Sequence, residues 1–455
     1  MYIYKCFCCF IVFIIKNSVH CFNNTNNINE NKLLFVYEHS RHGARTPCKG
    51  LDDNYVDIFN HKWEGIGELT KLGMLQHYKL GLHYKEKYSS FISTSSYKPN
   101  EVLVYSTNLN RTIMSAQSQL NGLFSLNTSS LSNTHYPLPH VLIPIHLYEY
   151  GKENIILFNK ELTKNCPNVK HLRESNKRSI TVNNFISNFT NAIGKDFILK
   201  VLSNRNIKDI NYKNIEMLCD AFISNYYEGN VLEIITQYKV NQEVLLNYCI
   251  EFSYLKHFFV EKGGKAYQSG IATISPYMNS ILSYMDECIN GKSKLKYVMY
   301  FGHDNTLSSI QIYLKKAFNI MIQKMPFAST ILLHLVYNVY NKQHYIEYYF
   351  NNEMMLNITY NSFKTKINEL LWNDNEIEDY CEGLSTTEIT IFIFMLVCLS
   401  IIITITILLC YYYTNNNQTL QITKQKLNAS QLNQSDITIE HKYNSVNISI
   451  DNNNN

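Results

Sequence analysis

The chain has 455 residues, 45% of them hydrophobic and 17% charged, with a formal net charge of +4. That length can bury a sizeable core without help from metals. So small and dispersed a charge excludes the basic stripe of a protein that tracks a nucleic-acid backbone.

Residues 2–15 carry one charge, Lys5, before the apolar run 6–15. At about ten residues that run is too short to span a bilayer and has the form of a secretory signal over residues 1–21, with cleavage near 19–21. Residues 22–31 are Asn-rich and predict loose chain. The run 33–38 predicts a buried strand, and Arg41-His42-Gly43-Ala44-Arg45-Thr46-Pro47 follows it. Apolar residues at helical spacing predict an amphipathic helix over 67–88. EVLVYS, residues 101–106, predicts a second strand, with a helix over 111–123 beginning at Arg111.

Residues 131–264 are mixed, with helical patterns at 215–227 and 231–238, and predict an inserted, mainly helical cap. KYVMYF, residues 296–301, predicts a third buried strand; Gly302, His303 and Asp304 then open a helix over 305–318. Residues 330–339 and 344–350 form a hairpin pattern around 341–343. Strand-then-helix units on either side of a helical insertion predict an α/β fold. The expected form is a mixed, mostly parallel sheet core (33–130 and 265–381) flanked by helices, with a helical cap.

No charge falls between Glu388 and Lys424, and residues 389–413 are long and apolar enough for a spanning helix. Tyr411, Tyr412 and Tyr413 suit a membrane interface. Acidic residues precede the span and Lys424 and Lys426 follow it, so the positive-inside rule puts residues 414–455 in the cytosol as a polar, disordered tail. The expected topology is single-pass type I, with 22–388 lumenal or extracellular. Twelve cysteines occur. Cys48, Cys166, Cys219, Cys249, Cys288 and Cys381 lie outside the signal and span, an even number in an oxidising compartment, so disulfides are expected with pairing left open. None of these cysteines or the histidines has zinc-ligand spacing.

The chemistry lies at strand ends, where open α/β sheets place ligands. Arg41 and Arg45 flank His42, and guanidinium forks match phosphate oxygens. Two cations beside His42 disfavour its protonated form and leave a ring nitrogen free to attack phosphorus. Gly43 allows close backbone approach or an unusual dihedral angle. The pair His303-Asp304 occupies a second turn of the same form, and Arg111 a third.

RHGARTP resembles the signature of the histidine acid phosphatases, within branch 2 of the histidine phosphatase superfamily. GELTKLGMLQHYKLG, NRTIMSAQSQLNGLF and YVMYFGHDNTLSSIQ resemble that family's next blocks, in order, with LIPIH and KNCP adding patches over residues 33–381. The resemblance is closest to the membrane-anchored lysosomal and prostatic group. It implies hydrolysis of phosphate monoesters through a phosphohistidine on His42, with Asp304 as proton donor and Arg41, Arg45, Arg111 and His303 holding the phosphoryl oxygens. It implies no metal or cofactor, small phosphate monoesters as substrates, and a Cys166–Cys381 disulfide. Cys48, Cys219, Cys249 and Cys288 stay unplaced.

The chain departs from the family at Tyr105, usually Arg, at Asn108 and Asn110, usually Asp, and at His334, often Glu. Asn110 heads a sequon beside Arg111 that is expected to stay unglycosylated; Asn23, Asn127, Asn188 and Asn357 are better acceptors. His77, His83, His135, His140 and His146 are expected to be core or surface residues rather than ligands. Tyr443-Asn444-Ser445-Val446 has the form read by sorting adaptors, which fits lysosomal, endosomal or cell-surface residence. A homodimer is left open. The alternatives are a phytase or inositol-polyphosphate phosphatase, and an inactive phosphatase-like receptor ectodomain.

Overall fold

The computed structural model describes residues 31–125, 141–148, 166–168, 174, 177–258, 264–382 and 386–443. The signal (1–21), Asn23, Asn127, His135, His140 and residues 444–446 of the sorting pattern lie outside them. The chain divides into two units, Met1–Gly383 and Leu384–Asn455.

Among the described residues the first unit has seven strands: β1 Asn31–Arg41, β2 Val102–Thr107, β3 His146–Tyr148, β4 Tyr297–Gly302, β5 Thr330–Asn338, β6 Gln343–Phe350 and β7 Glu353–Thr359. They form one sheet in the order β3-β2-β4-β1-β5-β6-β7. The sheet is mixed, as expected, but its pairings divide evenly. Those of β1 with β4, β2 with β4 and β2 with β3 are parallel. Those of β1 with β5, β5 with β6 and β6 with β7 are antiparallel. The antiparallel part is thus larger than the sequence predicts, because β7 escaped notice. Asn351 and Asn352 both have positive φ, 47° and 67°, in the two-residue connection from β6 to β7. Asparagine tolerates that conformation, and such a turn folds the chain directly back as a hairpin. β3 was missed because three residues show no period.

Helix α1 spans Lys71–Tyr88 and α2 spans Asn110–Leu123. α1 starts four residues later than its apolar pattern predicts. Thr70 caps it, accepting a hydrogen bond from the Gly73 N–H at 3.1 Å, and Leu69 is engaged in a bridge to Arg45. The insertion contains α3 Ile180–Ile193, α4 Lys195–Ser203, α5 Tyr212–Glu228, α6 Glu233–Gln237 and α7 Gln242–Phe258. Then come α8 Gly264–Ile289, α9 Asp304–Phe318, α10 Tyr360–Asn368 and α11 Asp374–Glu382.

Alternation along the strands sends side chains to two cores. Phe35, Tyr37, Val298, Tyr300, Leu333 and Leu335 pack with α8, α9 and α10. Val36, Val104, Tyr297, Met299, Phe301 and Leu332 pack with α1 and α2. A third core fills the helical insertion and takes in Ile58 and Phe59. The implied Cys166–Cys381 disulfide is present. Cys219 and Cys249 form a second one, joining α5 to α7, and Cys48 and Cys288 are free.

The second unit contains helix α12, Thr386–Tyr443, which over Thr390–Asn428 is long and apolar enough to cross a membrane. It continues to Tyr443, through residues expected to be disordered. No Gly or Pro occurs between 414 and 443 to stop it.

Candidate active site

Register brings the two histidine-bearing turns together. Arg41, the last residue of β1, pairs with Gly302, the last of the parallel neighbour β4. The next residues, His42 and His303, therefore emerge side by side at the carboxyl edge, their ring centroids 5.5 Å apart at 66°.

The turn after β1 is held at almost every peptide. The His42 N–H donates to the Gly302 carbonyl at 3.0 Å, and the His42 carbonyl accepts from Ala328 at 3.1 Å. The Gly43 N–H donates to Ser115 Oγ at 3.1 Å and that of Ala44 to Gln76 Oε1 at 2.8 Å. A Cβ on Gly43 would lie 2.4 Å from the Gly73 carbonyl oxygen. Glycine is thus required by the approach of α1, not by an unusual dihedral. His77, expected to be a core or surface residue, is buried and bridges the Arg41 carbonyl and Gln119 Oε1, each at 3.0 Å.

His42 is buried, and its Nδ1 lies 2.9 Å from the Gly43 carbonyl. A carbonyl only accepts, so Nδ1 carries the proton and Nε2 keeps a lone pair. Burial, then the charges of Arg41, His303, Arg111 and Arg45, hold this ring well below the ordinary value of 6.5. The sequence pointed to the arginines alone; burial is the larger cause. His303 contacts Thr107 Oγ1 at 3.1 Å. Burial and Arg111 lower it to about 3, with Asp304 opposing.

Each of two arginines is paired with a carboxylate. Arg41 Nη2 donates to Asp304 Oδ2 at 2.8 Å, and Arg45 Nη2 to Asp220 Oδ1 at 2.8 Å. Arg111 Nη1 reaches the Gly67 carbonyl at 3.4 Å. The Nε atoms of Arg41 and Arg111 are buried and have no hydrogen-bond partner among the described residues. Buried orphan donors are rare, and two of them on arginines that act on the His42 ring suit an anion.

The six residues singled out from sequence therefore form one group. Three contributors were missed. Phe327 lies under the guanidinium groups of Arg41 and Arg45, 4.7 and 5.9 Å from the ring centroid, and 5.9 Å from the His42 ring. Tyr227 packs edge-on against Phe327 at 5.4 Å. Asp220 pairs with Arg45. None belongs to a motif. The departures at Tyr105 and His334 are packing features: Tyr105 stacks on Tyr300 at 4.9 Å, and His334 Nε2 meets the Tyr88 hydroxyl at 2.8 Å.

The buried histidines make stability depend on acid. Burial lowers His39 to about 3, His77 to about 4 and His303 to about 3. Unfolded imidazoles titrate near 6.5, so below that pH the unfolded chain takes up these protons first. The contribution is complete above pH 6.5 and is lost as pH falls toward 4 and then 3, at roughly 1 kcal/mol per ring per unit. The urea midpoint is expected to drop between pH 7 and pH 5. A midpoint constant or rising over that window would contradict neutral buried rings.

Residues 32–351 match the histidine phosphatase superfamily (branch 2). Prostatic acid phosphatase of Bos taurus is 28% identical over 331 residues, 71% of this chain and 78% of that protein. Lysosomal acid phosphatase of Xenopus laevis is 27% identical over 325 residues, 71% of this chain and 70% of that protein. Among solved structures, the phytase from Citrobacter braakii superposes with a TM-score of 0.54 at 13% identity, covering 76% of this chain and 99% of that one. At that identity the likeness speaks for the fold.

Proposed function

The chain belongs to the histidine phosphatase superfamily (branch 2), and from that membership we propose an acid phosphatase that hydrolyses phosphate monoesters through a phosphohistidine. The observation that carries this reading is the meeting of the β1 and β4 ends. It sets the free Nε2 of a neutral imidazole among guanidinium groups, two of which, those of Arg41 and Arg111, have a buried Nε with no hydrogen-bond partner among the described residues.

In the first step His42 Nε2 attacks phosphorus and the bond to the ester oxygen breaks, while Asp304 gives its proton to the departing alcohol. In the second, water attacks the phosphohistidine. Its proton passes to Asp304, the P–N bond breaks and inorganic phosphate leaves. Arg41, Arg45, Arg111 and His303 hold the phosphoryl oxygens, and the arginines supply charge stabilisation. A phosphate drawn to Arg41 competes with Asp304 for that cation. Asp304 then retains a proton more readily, and a phosphate monoester itself carries one below about pH 6. Acidic operation follows from both.

A simple monoester is favoured over a polyphosphate. Beyond the arginines themselves, the groups that act most strongly on Arg45 and Arg111 among the described residues are Cys48, Asp220, Asp304 and Glu68, none of them a cation. A polyanionic inositol phosphate needs cations beyond its first phosphate. For the detergent-solubilised chain, kcat/KM on p-nitrophenyl phosphate at pH 5 is expected to exceed that on myo-inositol hexakisphosphate by at least about tenfold, a gap on the order of 1.4 kcal/mol. The reverse order would favour a phytase; no hydrolysis of either, an inactive ectodomain.

The same proposal places residues 1–21 as a cleaved signal, 22–388 on the lumenal or extracellular side with residues 131–264 as its cap, 389–413 across the membrane and 414–455 in the cytosol. The apolar stretch of α12 and the lysines after it support that topology. Residence in endosomes, lysosomes or at the surface fits the relatives and the Tyr443 pattern.

A further inference from the structure

We infer that Asp220, on helix α5 of the insertion, is a positioning residue for Arg45 and through it for the phosphate. The inference rests on the proposed role of Arg45.

Asp220 is far from any motif, yet it meets the catalytic turn at three points. One oxygen accepts from Arg45 Nη2 at 2.8 Å. The other accepts from the backbone N–H of Cys48 at 2.6 Å and of Lys49 at 3.0 Å. A single carboxylate thus grips both the side chain that would hold phosphate and the peptides just beyond Pro47, where the turn leaves the site. The pair is largely withdrawn from solvent, with side chains 12% and 17% exposed, so screening is weak and the geometry is enforced. Burial works against the charge of Arg45, and Asp220 leads the groups that offset it.

The remaining donors of Arg45 are not all consumed. Nη1 donates to the Thr46 carbonyl at 2.9 Å, but the fork has five N–H groups in fixed directions. Anchoring one edge on Asp220 aims the others. Without the carboxylate, Arg45 is a buried cation with no ion partner in this contact, and its long chain is free to turn toward water.

Helix α5 is itself held in register. Cys219, the preceding residue, is bonded to Cys249 of α7. On the same face, Glu216 pairs with Lys49 and Tyr227 packs on Phe327, at spacings i−4 and i+7 from Asp220. At the end of the helix, Glu228 accepts from the Thr70 hydroxyl at 2.5 Å. The insertion therefore does more than cover the site. It supplies the carboxylate that orients one of the site's arginines.

The test uses the full chain in detergent, with inorganic phosphate as the binding probe. Asp220→Asn is expected to raise the competitive inhibition constant of phosphate and the KM for p-nitrophenyl phosphate by about tenfold, a loss of the order of 1.4 kcal/mol. kcat should change by less than about threefold, and Asp220→Glu should recover part of the affinity. In an Arg45→Met background the same change should have no further effect, because its action runs through Arg45. Unchanged or tighter phosphate binding in Asp220→Asn would overturn the inference, as would penalties that add in full to those of Arg45→Met. Should Asp220→Asn fail to melt cooperatively, the decision passes to Asp220→Glu: a folded protein whose phosphate affinity falls below wild type but stays above that of Arg45→Met supports the inference, and one with wild-type affinity overturns it. If Arg45→Met itself leaves phosphate binding unchanged, the proposed role of Arg45 fails, and this inference falls with it.

Discussion

Replacement of His42 by alanine is expected to lower kcat on a simple phosphomonoester by at least about a thousandfold while the protein stays folded. The size follows from what the ring does. Nδ1 is committed to the Gly43 carbonyl, so Nε2 alone can form the bond to phosphorus, and no other uncharged nitrogen is offered by the three arginines around it. What survives should be the slow attack of water on a phosphate still held by those arginines. Phosphate affinity should therefore fall far less than kcat. The fold should survive because alanine keeps the backbone contacts to Gly302 and Ala328, which carry the turn. Steady-state kinetics with a phosphate inhibition constant checks both halves. A variant with near wild-type kcat would remove His42 from the mechanism.

Replacement of Asp304 by asparagine is expected to act selectively. Against an alkyl phosphate, whose alcohol must receive a proton as it leaves, kcat should fall by about 10²–10⁴-fold. Against p-nitrophenyl phosphate, whose phenolate leaves without help, the loss should be at least about tenfold smaller. Asparagine also ends the ion pair with Arg41 Nη2, now 2.8 Å from Asp304 Oδ2. That frees the guanidinium for phosphate, so KM should hold or fall. Equal losses on the two substrates would take the proton-donor role away from Asp304.

The site was legible where its chemistry is written into short contiguous runs at the ends of buried strands. RHGARTP and GHDNT each join an apolar strand to a turn, and Arg111 opens a helix after a third strand, so residue type and place coincide. Their meeting could be anticipated only from the placing of ligands at strand ends; the Arg41–Gly302 pairing is what realises it. Asp220, Tyr227 and Phe327 stayed invisible for a physical reason. They are single side chains from the insertion and from the loop before β5, brought in by tertiary packing, and an aspartate on one face of a helix carries no local sign of its partner.

The fold shows the same division. Strands with continuous apolar runs were plain. β7, whose EMMLNIT has no fully buried residue and no regular alternation, is announced mainly by the Asn351-Asn352 turn. The polar residues past 413 suggest disorder by composition, yet the lack of Gly and Pro lets the apolar helix before them continue to Tyr443. Of the two disulfides among the described residues, Cys166–Cys381 came from family resemblance, whereas Cys219–Cys249 depends on how α5 lies against α7 and no spacing could foretell it.

The mechanism turns on a covalent bond between phosphorus and one particular nitrogen. Rapid alkaline quench of the wild-type chain with ³²P-labelled phosphomonoester, followed by digestion and peptide mass spectrometry, reads it directly. The label is expected on Nε2 of His42, absent from the His42→Ala protein. Label on another residue, or full turnover with no phosphohistidine trapped at any quench time, would contradict it.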